Sequence, residues 1–307
     1  MESIPELQRQ VRQLLKERDA VLLVHYYQRP EIQDIADHLG DSLELSLRAA
    51  SSKARVIVFA GVDFMAETAK LVNPDAVVLH PNVMAKCPMA GMVDAESLRA
   101  HKAANPGVPV VAYVNTSAAV KAESDICCTS ANAVEVVGSL GAPRVAFVPD
   151  TNLGLYVQRH LPNVEVLCWP GYCHTHQDIQ ASDIRRLKEQ HPEAEVVVHP
   201  ECTPDVIDLA DHVASTSGIV KWVTTSRSKH FIIGTESGLI HHLKKLRPDA
   251  TFIQSPPAVC PNMKRITLVD VRDALVRMQP RVELPADIIE RARRPVERML
   301  AMRHTRA

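Results

Sequence analysis

The sequence has 307 residues, 46% of them hydrophobic, and its charged residues nearly cancel to a formal net charge of −1. A chain of this length exceeds one ordinary hydrophobic core, which predicts two or three domains or one large α/β body. The balanced charge, without a long run of one sign, argues against a nucleic acid or a membrane surface as partner and favours a small molecule.

The first residues and the cysteines both bear on the compartment. The opening segment MESIPELQRQVRQLLKERDA has the pattern of a charged amphipathic helix rather than a signal peptide. No segment approaches the ~20 consecutive apolar residues of a membrane-spanning helix. Seven cysteines is an odd number, so a disulfide framework is not expected. We therefore expect a cytoplasmic protein whose thiols bind a metal, act in catalysis or are simply buried.

Short apolar runs alternate with helix-patterned segments from the start of the chain. AVLLVHYY (20–27), RVIVFAG (55–61) and AVVLHP (76–81) have the length of strands. EIQDIADHLG (31–40) and FMAETAKLV (64–72) have the pattern of helices. This alternation predicts a parallel sheet with helices on both faces.

The same order of elements then occurs twice more. Three sets of equivalent residues are separated by 88 and then 86 positions: His25, Tyr113 and His199; Asp37, Asp125 and Asp211; Ser42, Ser130 and Thr216. Each repeat ends in a cysteine, and these are Cys87, Cys173 and Cys260, at separations of 86 and 87. The chain is therefore an internal threefold repeat.

The repeats predict an α/β fold of three similar Rossmann-like three-layer α/β/α units, over residues 1–88, 89–175 and 176–261. The tail, 262–307, does not begin a fourth unit and is expected to form helices that pack back on the first. Ligands of open parallel sheets bind beyond the carboxyl ends of the strands. Arranged around a pseudo-threefold axis, the units would bring the strand ends and the three cysteines to one central active site.

Three convergent thiols indicate a metal or an iron-sulfur site. Structural zinc takes four protein ligands, and catalytic zinc prefers histidine or carboxylate among its three. Iron-sulfur clusters take cysteine thiolates, and a cube held by three cysteines leaves one iron open to act as a Lewis acid. The remaining cysteines are interpreted as small buried residues; these are Cys127, Cys128, Cys168 and Cys202.

The segment CHTH, residues 173–176, offers a competing metal site. If it continues a strand, neighbouring side chains point to opposite faces and cannot share one ion. His174 and His176 are therefore interpreted as lying either directly behind the ligands or at the surface.

Eight blocks of the sequence resemble the NadA-type quinolinate synthases and occur in the order of that family. They are HYYQRPEIQDIADHLGDSLELS, FAGVDFMAETAK, YVNTSAAVKAESDICCTSANA, VPDTNLG, HPEC, STSG, GTESGLIHHL and CPNMKRITL. The resemblance covers nearly the whole chain. It implies an enzyme of NAD biosynthesis that condenses iminoaspartate (iminosuccinate) with dihydroxyacetone phosphate to quinolinate, with loss of phosphate and two waters.

The resemblance also implies site residues. Cys87, Cys173 and Cys260 match the ligands of one 4Fe-4S cluster with one open iron. The substrate-contacting positions fall on His25, Ser42, Tyr113, Asn115, Ser130, His199, Glu201 and Thr216. Glu201 and His199 are expected to transfer protons, and Tyr27, rather than Tyr26, to assist the isomerisation step. An L-aspartate oxidase is the expected supplier of iminoaspartate.

Two other functions fit some of the same residues. A zinc-dependent aldolase or lyase would use His199, Glu201 and a cysteine. A non-catalytic small-molecule sensor would use the α/β repeats alone. Nucleotide binding of the usual kind is not favoured, because the sequence has neither G-x-G-x-x-G nor G-x-x-x-x-G-K-[ST].

Overall fold

The computed structural model describes residues 2–255 and 258–302. In this part of the chain the strands form three four-stranded sheets, and the strands of each sheet pair in parallel. Each sheet is built from one sequence repeat. The predicted α/β class is confirmed.

The first unit contains four strands and four helices. The strands are β1 (Ala20–His25), β2 (His38–Gly40), β3 (Val56–Ala60) and β4 (Val77–Leu79), and the helices are α1 (Ile4–Glu17), α2 (Pro30–Gln33), α3 (Ser42–Ser51) and α4 (Asp63–Val72). The strands lie in the order β2-β1-β3-β4. All five residues of β3 are buried, as expected of a strand with covered faces.

The second and third units repeat this arrangement. The second contains α5 (Ala95–Ala104), β5 (Val110–Tyr113), α6 (Ala118–Ala122), β6 (Ile126–Cys128), α7 (Ala133–Ser139), β7 (Arg144–Val148), α8 (Thr151–His160) and β8 (Glu165–Cys168). The third contains α9 (His174–Gln177), α10 (Ala181–Gln190), β9 (Glu195–Val198), α11 (Pro204–Ile207), β10 (His212–Val213), α12 (Thr216–Thr225), β11 (His230–Gly234), α13 (Gly238–Leu246) and β12 (Thr251–Gln254). The strand orders β6-β5-β7-β8 and β10-β9-β11-β12 match the first sheet.

The segment predicted as a helix over 31–40 differs from the expectation. Only one helical turn, α2, forms, and the chain then enters the short strand β2. The repeated aspartates explain why the chain turns there, because each accepts a backbone N–H from the central strand. The pairs are Leu22 to Asp37 (2.8 Å), Val110 to Asp125 (2.7 Å) and Val196 to Asp211 (2.8 Å).

The tail forms two helices, α14 (Leu268–Arg277) and α15 (Ala286–Ala301). Thr267 and Asp270 form a capping box at the start of α14, which packs on α1 and β3. Helix α15 instead lies against α6 and β6 of the second unit and α4 of the first. The tail was expected to pack on the first unit. Helix α14 does so, whereas α15 covers the boundary between the first and second units with its apolar face.

One large cluster of buried apolar side chains includes residues of all three repeats, among them Phe59, Phe147 and Phe231. The three sheets are consequently packed as one body. Of the helices in the described residues, none combines the length and apolarity needed to cross a membrane.

Candidate active site

One cavity is lined by residues of all three repeats. Its volume is about 720 Å³, a figure that includes open solvent at its mouth. It lies at the carboxyl ends of the strands: His25 ends β1, Tyr113 ends β5 and His199 follows β9. Every site residue predicted from sequence lines it: His25, Tyr27, Ser42, Cys87, Tyr113, Asn115, Ser130, Cys173, His199, Glu201, Thr216 and Cys260.

Tyr27, Asn115 and Glu201 occupy equivalent positions of the three units, at separations of 88 and 86 residues. Each lies two residues beyond the histidine or tyrosine at its strand end. The cavity is lined by Tyr27 and not by Tyr26, whose hydroxyl lies 3.4 Å from Glu44 Oε2. The repeat therefore places a phenol, an amide and a carboxylate in the lining of one cavity.

The repeated hydroxyl groups are not helix caps. Ser42 and Thr216 are the first residues of α3 and α12, and the caps are Asp41 and Ser215. Thr216 Oγ1 lies 3.0 Å from the Tyr27 hydroxyl. Ser130 Oγ lies 3.1 Å from His199 Nε2. These hydroxyls therefore belong to the cavity wall rather than to helix capping.

Cys87, Cys173 and Cys260 come from the three different units and line this one cavity. Burial raises the pKa of each thiol, and the thiols also influence one another, Cys260 acting on Cys87 and Cys87 on Cys173. No fourth cysteine within 2–255 and 258–302 lines the cavity. Three thiols without a fourth fit the donor set of a cluster that has one iron free of protein ligands.

A carboxyl group lies behind each of these cysteines. The Cys87 N–H donates to Asp63 Oδ1 at 3.0 Å, and the Cys260 N–H donates to Glu236 Oε1 at 3.1 Å. Burial raises the pKa of the equivalent Asp150, and backbone N–H groups, including that of Cys173, oppose the rise. These three acids, separated by 87 and 86 residues, were missed from sequence although the spacing contained the signal.

The structure corrects the assumption that CHTH continues a strand, and it places His176 behind Cys173, one of the two positions expected for it. The segment is not a strand: it begins the short helix α9, with Cys173 as N-cap. His176 is therefore on the side of Cys173, with Nδ1 lying 3.2 Å from Cys173 Sγ and 2.7 Å from Glu201 Oε2. Its Nε2 lies 2.9 Å from Thr235 Oγ1, which is 2.6 Å from the Tyr27 hydroxyl. A buried chain of polar groups thus joins Glu201 to Tyr27.

Burial determines the protonation of the site. It lowers the pKa of His25 to about 4 and of His199 to about 3, so both imidazoles are neutral near pH 7. It also raises the pKa of the Tyr27 and Tyr113 hydroxyls, which stay protonated.

Glu201 is ionised. Burial acts to raise its pKa, but His176, followed by His199 and Tyr113, holds the pKa well below its ordinary value. Its Oε1, like Oδ1 of Asn115, is buried without a hydrogen-bond partner in the part of the chain described. These oxygens can accept hydrogen bonds or protons from a ligand.

Lys121 is fully buried behind the loop that carries Asn115, and burial lowers the pKa of its amino group. Its Nζ donates to the carbonyl oxygens of Val114, at 2.8 Å, and of Thr116, which flank Asn115. Gln33 is the equivalent residue of the first unit, 88 positions earlier. Its Nε2 donates at 2.9 Å to the carbonyl oxygens on either side of Tyr27, those of Tyr26 and Gln28. In both units a buried side chain thus donates to the two carbonyl groups that flank a cavity residue, an arrangement called here the brace. The donor is the amino group of Lys121 in the second unit and the amide of Gln33 in the first.

The fold and the cavity define an α/β enzyme whose buried site can hold a metal centre. Comparison with known families agrees: the family described as "Quinolinate synthetase A protein", NadA, matches residues 9–301. The chain belongs to this family, and the resemblance seen in the sequence blocks is confirmed.

Curated relatives cover essentially the whole chain. Quinolinate synthase of Methanoregula boonei is 56% identical over 303 residues, which are 98% of this chain and 100% of the relative. Quinolinate synthase of Desulforudis audaxviator is 54% identical, covering 98% of this chain and 100% of the relative. Quinolinate synthase of Aquifex aeolicus is 50% identical, covering 98% and 95%.

Proposed function

We propose that this chain catalyses the quinolinate synthase reaction of NAD biosynthesis. Iminoaspartate and dihydroxyacetone phosphate condense to quinolinate, and phosphate and two waters are released. Family membership supports this assignment. The main structural support is that Cys87, Cys173 and Cys260 line one cavity. That cavity is also lined by hydrogen-bonding groups suited to a dicarboxylate.

The proposed architecture is three Rossmann-like units, 1–88, 89–175 and 176–261, around a pseudo-threefold axis. The identical strand order of the three sheets supports it. So does the equivalence of the residues that line the cavity, since each repeat contributes one member of every set.

Cys87, Cys173 and Cys260 are the proposed ligands of one 4Fe-4S cluster. When bound, the cluster supplies a Lewis-acidic iron that polarises a substrate oxygen. Asp63 and Glu236 accept the N–H groups of Cys87 and Cys260 and so hold the loops that present these thiols.

Substrate anions are bound by hydroxyl and N–H donors. Ser42 and Thr216 begin α3 and α12, each of ten residues, whose N-terminal N–H groups favour negative charge. Ser130, next to His199, adds a third hydroxyl. His25, Tyr113 and Asn115 orient the carboxylates, since their side chains line the same wall.

Proton transfer falls to residues whose protonation states suit it. Glu201 is ionised, has a free oxygen and can accept a proton from a substrate carbon. His199 is neutral and can relay a proton through Ser130. Tyr27 keeps its proton and donates it toward a carbonyl oxygen during isomerisation of the triose.

The proposed setting is the cytoplasm, because free thiols and a cluster that loses iron on oxidation need a reducing compartment. Iminoaspartate hydrolyses readily, so an enzyme that oxidises L-aspartate, an L-aspartate oxidase, is its proposed supplier.

Anaerobically purified protein tests the assignment. Iron, acid-labile sulfide and zinc are measured, and quinolinate and phosphate are followed after mixing with dihydroxyacetone phosphate, oxaloacetate and ammonium, which generate iminoaspartate in solution. We expect a brown protein with about four iron and four sulfide, and equimolar quinolinate and phosphate. Zinc without sulfide in active protein, or no quinolinate from cluster-loaded protein, contradicts the proposal.

Lys121 offers a test of how the Asn115 loop is held. Lys121→Met leaves two buried carbonyl groups without a donor, at about 1–3 kcal/mol each, and removing a buried amino group that is costly to desolvate offsets part of this cost. We expect KM to rise by about tenfold, equivalent to about 1.4 kcal/mol, with a smaller change in kcat.

The matched control is Lys121→Gln, which copies Gln33 of the first unit. Its KM should stay within a few-fold of the unsubstituted protein. Kinetics are measured alongside urea unfolding and iron content. Equal impairment of the two variants at equal stability shows that the brace does not position Asn115.

A further inference from the structure

Cys173, His176 and Glu201 form a donor set that shares only one residue with the three thiols. Their ligand atoms, a sulfur, a ring nitrogen and a carboxylate oxygen, lie within 4.8 Å of one another. Among the residues described, this is the one group of at least three His, Cys, Asp or Glu side chains that close. Cys87 and Cys260 are not members.

The donors suit zinc in chemistry and in spacing. Zinc takes sulfur, imidazole nitrogen and carboxylate oxygen at about 2.0–2.3 Å, and tetrahedral geometry then separates neighbouring donors by about 3.3–3.7 Å. His176 Nδ1 is already 2.7 Å from Glu201 Oε2 and 3.2 Å from Cys173 Sγ. A movement of less than about 1 Å per donor would make room for the ion.

The surroundings of these donors are also those of a metal site. His176 Nε2 lies 2.9 Å from Thr235 Oγ1, which fixes the ring with Nδ1 directed at the other two donors. Glu201 Oε1 is buried with no partner in the described residues and can turn to the ion. The cavity leaves a fourth position open, as at catalytic zinc sites.

We propose that the protein without its cluster binds one Zn²⁺ through Cys173, His176 and Glu201, and that this ion blocks cluster assembly. The block follows because Cys173 cannot serve both centres, so the inference rests on the proposed function. Binding releases the thiol proton of Cys173 to solvent, His176 coordinates through Nδ1 as a neutral imidazole with its ring proton on Nε2 facing Thr235 Oγ1, and no oxidation takes place. Excess zinc thereby keeps the enzyme inactive until the ion is removed.

Cobalt is the spectroscopic probe, because Co²⁺ takes zinc sites and a thiolate ligand gives it a charge-transfer band. Protein freed of iron by a chelator under anaerobic conditions is titrated with Co²⁺ and then Zn²⁺. We expect one equivalent of Co²⁺ to bind with one thiolate, and one equivalent of Zn²⁺ to displace it. Cys173→Ser should abolish the band, and His176→Gln should weaken binding by at least tenfold.

Cys87→Ser and Cys260→Ser are the matched controls, since each removes a cluster thiol but no zinc ligand. Both should bind Co²⁺ as the unsubstituted protein does. Loss of Co²⁺ binding in these two variants means that the three thiols hold the ion, and this overturns the proposal. Unchanged binding in His176→Gln overturns it as well.

Thr235→Val is a milder change in case His176→Gln does not fold. Removing an outer partner of a ligating histidine lowers metal affinity about 10–100-fold. The same loss is expected here, with the thiolate band still present at saturating Co²⁺. An unaltered affinity in Thr235→Val contradicts the assigned orientation of His176.

Cluster assembly is measured separately from activity. Iron and sulfide uptake should fall to background in protein preloaded with one equivalent of Zn²⁺ and recover after chelation, whereas preloaded His176→Gln should take up the cluster. If Zn²⁺ binds at the assigned residues but leaves uptake unchanged, the block is wrong. If unsubstituted protein never takes up iron and sulfide, the proposed function fails while the cobalt result stands.

Discussion

Glu201→Gln is expected to lower quinolinate formation by about 10²–10⁴-fold while the protein keeps its iron and sulfide. Glutamine has the shape of glutamate and can still pair with His176, but it cannot accept a proton. The carboxylate is buried, and His176, His199 and Tyr113 hold its pKa low, so in the unsubstituted protein it is ready to act as a base. The loss should therefore be in kcat.

The measurement is steady-state quinolinate and phosphate release, with iron, sulfide and visible absorbance on the same samples. Glu193→Gln is the matched control, because Glu193 belongs to the same unit but its side chain is 49% exposed. It should be indistinguishable from the unsubstituted protein. An active Glu201→Gln variant would remove this carboxylate from the mechanism.

Serine substitutions of the three repeat-end cysteines are expected to abolish both cluster and turnover. Cys87→Ser, Cys173→Ser and Cys260→Ser each leave only two thiolates, and a serine hydroxyl is a poor ligand for iron-sulfur clusters. Iron and sulfide should fall from about four each to background. The repeat makes the three sites equivalent, so the three variants should behave alike.

Cys202→Ser is the control for the chemistry of the substitution. Cys202 is fully buried next to Glu201, and its Sγ lies 3.4 Å from the Gly234 carbonyl oxygen, a contact that a hydroxyl can also make. This variant should keep iron, sulfide and turnover. If it loses the cluster as the others do, the losses report a disturbed fold; if Cys87→Ser keeps it, the three thiols are not the ligand set.

Much of the fold was predictable from sequence because each repeat has the same order of strand-length and helix-patterned segments. Strand-length apolar runs and constant spacings predicted three α/β units, and the three sheets have one strand order. Strand ends could be located from the same runs, which is why His25, Tyr113 and His199 were placed correctly. The helix expected over 31–40 was wrong, because Asp37 turns the chain by accepting the N–H of Leu22.

The contacts of His176 could not be predicted from local sequence patterns. Its part in the site depends on α9 beginning directly after Cys173 and on Glu201 reaching it from another segment, and neither follows from the letters CHTH. Asp63, Asp150 and Glu236 were missed for a different reason: an acid in or just before the first turn of a helix is ordinary. Their separations of 87 and 86 residues were the signal in the sequence, and their contacts with the cysteine backbone show what they do.

Repeat number, α/β class, strand ends and the set of three thiols followed from the sequence, because apolar periodicity and repeat spacing are visible along the chain without knowledge of how the units pack. The family resemblance had favoured Tyr27 over Tyr26, and Tyr27 does line the cavity, but the tertiary structure alone decided that His176 joins Cys173 to Glu201. Tyr27 contacts Thr235 across 208 residues of chain, and such a contact exists only once separate units share one core. Packing between units, not pattern within them, therefore sets the chemistry of the site.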